Sequence, residues 1–167
     1  MEKVLWGIGV LVAIGCAAMW TIRRFLTPGS VMRAYARDAV DTARTNFQAE
    51  LDYSEGSIRQ LEEILDKQYK ARQGDQQISE KDVELFCKMW GAYLGEVLRR
   101  SYSGEWSIPQ DGVFQGNYVL TVGSTLTSPP AKVWKRLTDG DGDNVYMYYR
   151  VLVSKFSAEQ SGPSREH

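Results

Sequence analysis

The chain has 167 residues, with 20 lysines and arginines against 21 aspartates and glutamates and a formal net charge of −1, a balance that offers no electrostatic footprint for nucleic acid. Its one histidine is the final residue, His167, and its two cysteines are Cys16 and Cys87. Those counts exclude His-dependent triads and His/Cys zinc sites, and they leave Cys87 no disulfide partner after the apolar leader.

The leader comes first in chain order. From Val4 to Ile22 it reads VLWGIGVLVAIGCAAMWTI without a charge, and at ~1.5 Å per residue it spans ~28 Å, close to the ~30 Å hydrocarbon core of a bilayer. Trp6 and Trp20 stand near its ends and Arg23 and Arg24 close it, as expected for a single transmembrane helix. A buried core helix fits less well because no polar face is present. A cleaved signal fits less well because Glu2 sits beside the only lysine of the n-region and no clean small-x-small site follows. Ala13-Ile14-Gly15-Cys16 resembles a lipoprotein box, but a lipoprotein cut there begins AAMWTI instead of with a polar tether. Arg23, Arg24, Arg33 and Arg37 outweigh Lys3 and the amino terminus, so the following domain is expected on the cytoplasmic side of an inner membrane. Gly7, Gly9, Gly15, Ala17 and Ala18 are small enough to let such helices associate in lipid.

Residues 1–26 thus read as an anchor, 27–156 as one soluble α+β domain, and 157–167 as a disordered tail without large apolar residues. Thr27-Pro28-Gly29 breaks the helix after the anchor and Ser30 is the expected cap of the next, about 31–51, with Val31, Tyr35, Ala39, Ala43, Phe47 and Leu51 in its seam. A second helix is expected after a Ser57 cap, with Ile58, Leu61, Leu65 and Tyr69 buried, up to Gln73-Gly74-Asp75. The third is the best encoded. Ser79 and Asp82 form a capping box, Ile78 can staple onto Val83, and Val83, Phe86, Cys87, Trp90, Leu94, Val97 and Leu98 share one face, with Leu85, Met89 and Ala92 behind. Gly91 and Gly95 admit a close neighbour.

Two strands, Glu105–Ile108 and Tyr118–Val122, then form a short antiparallel sheet. Ser128-Pro129-Pro130 opens a short helix, Ala131–Thr138, expected to turn Val133, Trp134 and Leu137 inward. Residues 145–156 suit a helix or a strand. Length and a possible Asp143 cap favour helix. The fold class is therefore α+β: an N-terminal transmembrane helix, three helices, a short antiparallel sheet and one or two C-terminal helices.

Few residues suggest chemistry. Asp139-Gly140-Asp141-Gly142-Asp143-Asn144 alternates carboxylates like a calcium loop, but Asn144 and Arg150 stand where an EF-hand needs glycine and glutamate, so an inter-element turn is expected and no metal or cofactor. Cys87, on an apolar stripe without a base, reads as a small hydrophobe. Glu96 extends the second stripe of the third helix, with Arg99 and Arg100 one turn on. Such a pair suits either structure or a carboxylate-dependent site. Trp106, Trp134, Tyr146, Tyr148 and Tyr149 load the C-terminal half with aromatic surface, suited to a core and, in excess, to binding. Lys132, Lys135 and Arg136 read as a solvated face, with anionic lipid as a second use. The candidate binding set is Glu96, Arg99, Arg100, Trp106, Trp134 and Arg136.

Leu51-Asp52-Tyr53-Ser54 with Ser57-Ile58, Gly91-Ala92-Tyr93-Leu94-Gly95-Glu96-Val97, Gly104-Glu105-Trp106 and Val133-Trp134-Lys135-Arg136 resemble the pattern of a widespread bacterial domain of uncharacterised function, over about residues 45–155. The resemblance implies a small α+β domain and no catalytic residues. Together these readings predict a non-enzymatic interaction module at the inner face of a bacterial membrane, an immunity-like inhibitor or an accessory subunit. Its expected partners are membrane lipid and a protein at the membrane. The alternatives are an enzyme with Glu96 in its site, and an assembly component that oligomerises through its anchor.

Overall fold

A computed structural model describes residues 27–74 and 78–161. The apolar leader 4–22, the box at Cys16 and residues 162–167 lie outside the described residues, among which no helix is long and apolar enough to cross a membrane.

Among the described residues, five α-helices and a three-stranded antiparallel sheet make the α+β fold. Helix α1 is Pro28–Thr42, α2 Glu55–Gln73, α3 Glu80–Tyr102, α4 Pro129–Asp139 and α5 Val145–Ser161, and the strands are β1 Glu105–Ser107, β2 Val119–Val122 and β3 Thr125–Thr127. The α1 cap is Thr27, not Ser30: proline fits the first helical position, so the helix begins one turn earlier and the Thr27 hydroxyl accepts from the Ser30 amide. Nor does the helix run to Leu51. A π-helical turn, Ala43–Phe47, and a left-handed Gln48 end it, setting the Phe47 ring edge-on to Trp90 at 6.1 Å. Ser54 caps α2 three residues before Ser57, whose own hydroxyl is buried and donates back to the Ser54 carbonyl.

Helix α3 is the axis of the core. Its Ser79–Asp82 capping box forms as the sequence predicts, and every residue from Met89 to Leu98 is buried. Trp90, Tyr93, Leu94 and Leu98 are essentially inaccessible, each large apolar side chain stabilising by roughly 1.5–3 kcal/mol. Leu85 does not join the second stripe and is 48% exposed, one turn before the neighbours close in. Helix α1 covers one flank of α3, with Thr42 beside Met89 and Gly29 beside Trp106, and α4 covers another.

The sheet has the order β1-β2-β3, with Trp106 opposite Leu120 and Leu120 opposite Thr127. Strand β3 escapes the sequence reading because its inward residues are Thr125 and Thr127 while Leu126 faces out, the reverse of the usual alternation. Residues 145–156 are helical, and α5 continues to Ser161. The first part of the expected disordered tail is thus ordered, with the Glu159 carboxylate accepting from Ser124 and Thr125. Asn144, not Asp143, caps α5 through the Met147 amide.

Candidate functional site

The six candidate residues fall into three places. Glu96, Arg99, Arg100 and Trp106 meet at the C-terminal end of α3. The Glu96 side chain is fully buried, one oxygen accepting from the Trp106 indole at 2.9 Å and Arg99 Nε at 2.8 Å, the other from Arg99 Nη2 at 3.0 Å. Arg100 Nε lies 3.8 Å away, and its guanidinium stacks 3.4 Å above the Tyr53 ring centroid. Glycine permits this knot: a Cβ on Gly95 would come within 2.2 Å of the Trp106 ring, and one on Gly91 within 2.4 Å of the Pro130 backbone. Tyr53, in the left-handed region at φ 64, packs on Tyr93, and its amide donates to the Tyr93 hydroxyl. The LDYS, GAYLGE and GEW segments are thus adjacent in space, and their shared task is packing. The Glu96 oxygens are engaged and buried, with no substrate-facing edge.

Arg136 corrects the expected solvated face of α4. Positions 133, 136 and 137 are the inward ones on a helical period, and the residue is 1% exposed. Glu62 and Asp66 from α2 make this tolerable: Arg136 Nε donates to Glu62 at 2.7 Å and Nη2 to Asp66 at 3.1 Å, with Asp141 at 3.2 Å. Burial works against its charge, but the hydrogen bonds it donates to Glu62 and Asp66 outweigh that and raise its pKa. Glu62 also accepts from the Val145 amide at the start of α5. One side chain therefore ties α2, α4, α5 and the Asp141–Asp143 turn together. That turn is a short 3-10 helix whose Asp141 and Asp143 face Arg136 and Lys132, so its carboxylates serve ion pairs.

Trp134 occupies the third place and also departs from expectation. It is 48% exposed because it sits one position off the inward face of α4. It lines a groove of about 640 Å³ between α4, α3 and the loop joining β1 to β2, with Ile108, Tyr118, Pro130 and Cys87 as the apolar part and Glu84, Lys88 and Lys135 as the charged part. Burial pushes the Cys87 thiol up to about 12, so it contributes an apolar surface and no thiolate. Lys88 is already paired with Glu84 at 2.6 Å. A groove of this volume, apolar with a few charged groups at the edge, suits the side chains of a docked protein segment.

The aromatic load divides accordingly. Trp106 and Tyr149 are buried, Tyr148 packs beside Thr127 and Lys132, and Tyr146 lies between Arg59 and Arg150. Sequence reasoning missed Ile108 and Tyr118 as groove residues, since only the return of β2 alongside β1 brings their loop over α3. No protein-family profile, curated protein or solved structure matches the chain.

Proposed function

We propose that the protein is a non-enzymatic interaction module held at the cytoplasmic face of a bacterial inner membrane by residues 4–22. The likeness of its LDYS, GAYLGE, GEW and VWKR segments to an uncharacterised bacterial domain belongs to the same proposal. The observation that carries it is the half-exposed Trp134 beside an apolar groove. Tryptophan presented in this way is the residue type most enriched among the anchors of protein interfaces, and a module tied to a bilayer meets partners in the membrane or on its inner surface. An immunity-like inhibitor and an accessory subunit of a membrane assembly both fit this geometry. Association through Gly7, Gly9, Gly15, Ala17 and Ala18 is compatible with it, and native mass measurement in detergent reads it directly. The carboxylate-enzyme reading depended on Glu96 facing a cavity. Its side chain is instead fully paired inside the core, which supports preferring the interaction reading.

The test is a photo-crosslinking residue placed at 134 in the full chain in its own membranes. One protein trapped in stoichiometric yield from position 134, and not from the exposed Thr45 in the π-helical turn after α1, supports the reading. No adduct from 134, or equal adducts from both positions, overturns it.

A further inference from the structure

The arginines that suggest sidedness in the sequence acquire a place in the fold. Between Glu2 and Asp38 the chain contains no acid, while Arg23, Arg24, Arg33 and Arg37 are basic. Arg33 and Arg37 are one helical turn apart on the exposed side of the first half of α1, next to Thr27, where the chain arrives from the apolar leader. The Arg33 guanidinium folds back over Gly29, toward that end. Across Tyr53 lies Arg100, with a 47% exposed side chain, and beside it Arg99. The Tyr53 hydroxyl donates to the Ala36 carbonyl of α1 at 3.3 Å, so the ring on which Arg100 stacks abuts the α1 turn that carries Arg37. Glu96 is the carboxylate among them and is buried beneath. The exposed acids nearby are Asp52, which accepts from the Ser54 amide, Glu55, which faces Arg150, and Glu105 on β1. Farther along α1 the charge reverses at Asp38 and Asp41. Arg33 and Arg37 thus lie on the half of α1 nearest the leader, and Arg99 and Arg100 at the C-terminal end of α3.

We propose that Arg33, Arg37, Arg99 and Arg100 form a face that lies against anionic phospholipid headgroups and fixes the orientation of the domain on the membrane. This rests on the reading of residues 4–22 as an anchor. A cluster of four to eight arginines directly beside a span attracts anionic lipid, each near the surface adding to the attraction, and the effect decays within a Debye length. The leader alone keeps the domain near the bilayer. The arginine face determines which side of it looks down, and so holds the Trp134 groove in one presentation to partners.

The full chain is reconstituted into nanodiscs of phosphatidylcholine alone or with about 30% phosphatidylglycerol, and arginine modification by phenylglyoxal is followed residue by residue by mass spectrometry. Arg33 and Arg37 are expected to react about three- to fivefold more slowly in the anionic discs, with the protection lost at high salt. Arg44, exposed and past the far end of α1 from Thr27, is expected to react alike in both. Equal rates at Arg33 and Arg37 in the two lipids overturn the face while leaving the anchor intact. Equal slowing of Arg44 together with Arg33 and Arg37 overturns it too. Failure of the chain to co-purify with either disc overturns the anchor and this inference with it.

Discussion

Replacing Glu96 by alanine tests the reading of the α3 knot as structure. The substitution leaves the Trp106 indole N–H buried without an acceptor, which costs about 1–3 kcal/mol. It removes a carboxylate paired with Arg99, whose side chain is 29% exposed and recovers hydration, so this part adds only about 0.5–1 kcal/mol. Losing the buried methylene and carboxyl adds about 1 kcal/mol for an incompletely filled cavity. The expected loss is about 3–4 kcal/mol, within the range for breaking a buried ion pair. Glu96→Gln keeps a carbonyl oxygen for the indole and is expected to lose about half as much. The assay is urea unfolding of the full chain in mild detergent, followed by far-ultraviolet circular dichroism, with Trp106→Phe completing a double-mutant cycle. A coupling of about 1–2 kcal/mol between positions 96 and 106 is expected. If Glu96→Ala costs under 1 kcal/mol, or the two substitutions are additive, the knot is not what holds this end of the domain.

Gly91→Ala and Gly95→Ala drive a methyl into the Pro130 backbone and the Trp106 ring, and each is expected to lower stability by about 2–3 kcal/mol, the upper part of the range for overpacking, with Gly91 the worse because backbone cannot rotate away. Arg136→Met strands Glu62 and Asp66 and is expected to cost about 3–5 kcal/mol in the same unfolding assay, with Glu62→Gln in the same chain restoring part of it. Trp134→Ala removes a half-exposed side chain and is expected to move stability by no more than about 0.5 kcal/mol while reducing capture of the partner. Burial pushes the Cys87 thiol and the Tyr93 phenol each up to about 12, from 9.0 and 10.0. Both folded pKa values are raised, so their contribution to stability is complete below pH 9 and is lost as pH rises from there toward 12. The native Cys87 thiol should accordingly resist iodoacetamide at pH 8 and react on addition of urea.

What the sequence determined was whatever a local signal encodes. The capping box at Ser79 and Asp82, the apolar period of α3, the proline that starts α4 and the composition of β1 and β2 are properties of consecutive residues, and each appears where those signals lie. Preference for helix over strand at 145–156 also followed from length and local caps, although Asn144 took the role expected of Asp143. Even the burial of Glu96 was legible, since it continues a stripe on α3.

Tertiary structure decided the rest, because the deciding partner is far away in the chain. Arg136 looks like a surface cation until Glu62 and Asp66, some seventy residues earlier, supply the carboxylates that let it enter the core. Its inward turn leaves Trp134 outside, and that exchange on one short helix converts an expected core residue into the edge of a groove. Strand β3 carries no apolar alternation and exists because β2 offers an edge for it. The end of α1 is set by Phe47 meeting Trp90 and not by the period of its own seam. Charge and apolar pattern were readable along the chain; which side of each helix faced the core depended on the partner that could neutralise or cover it.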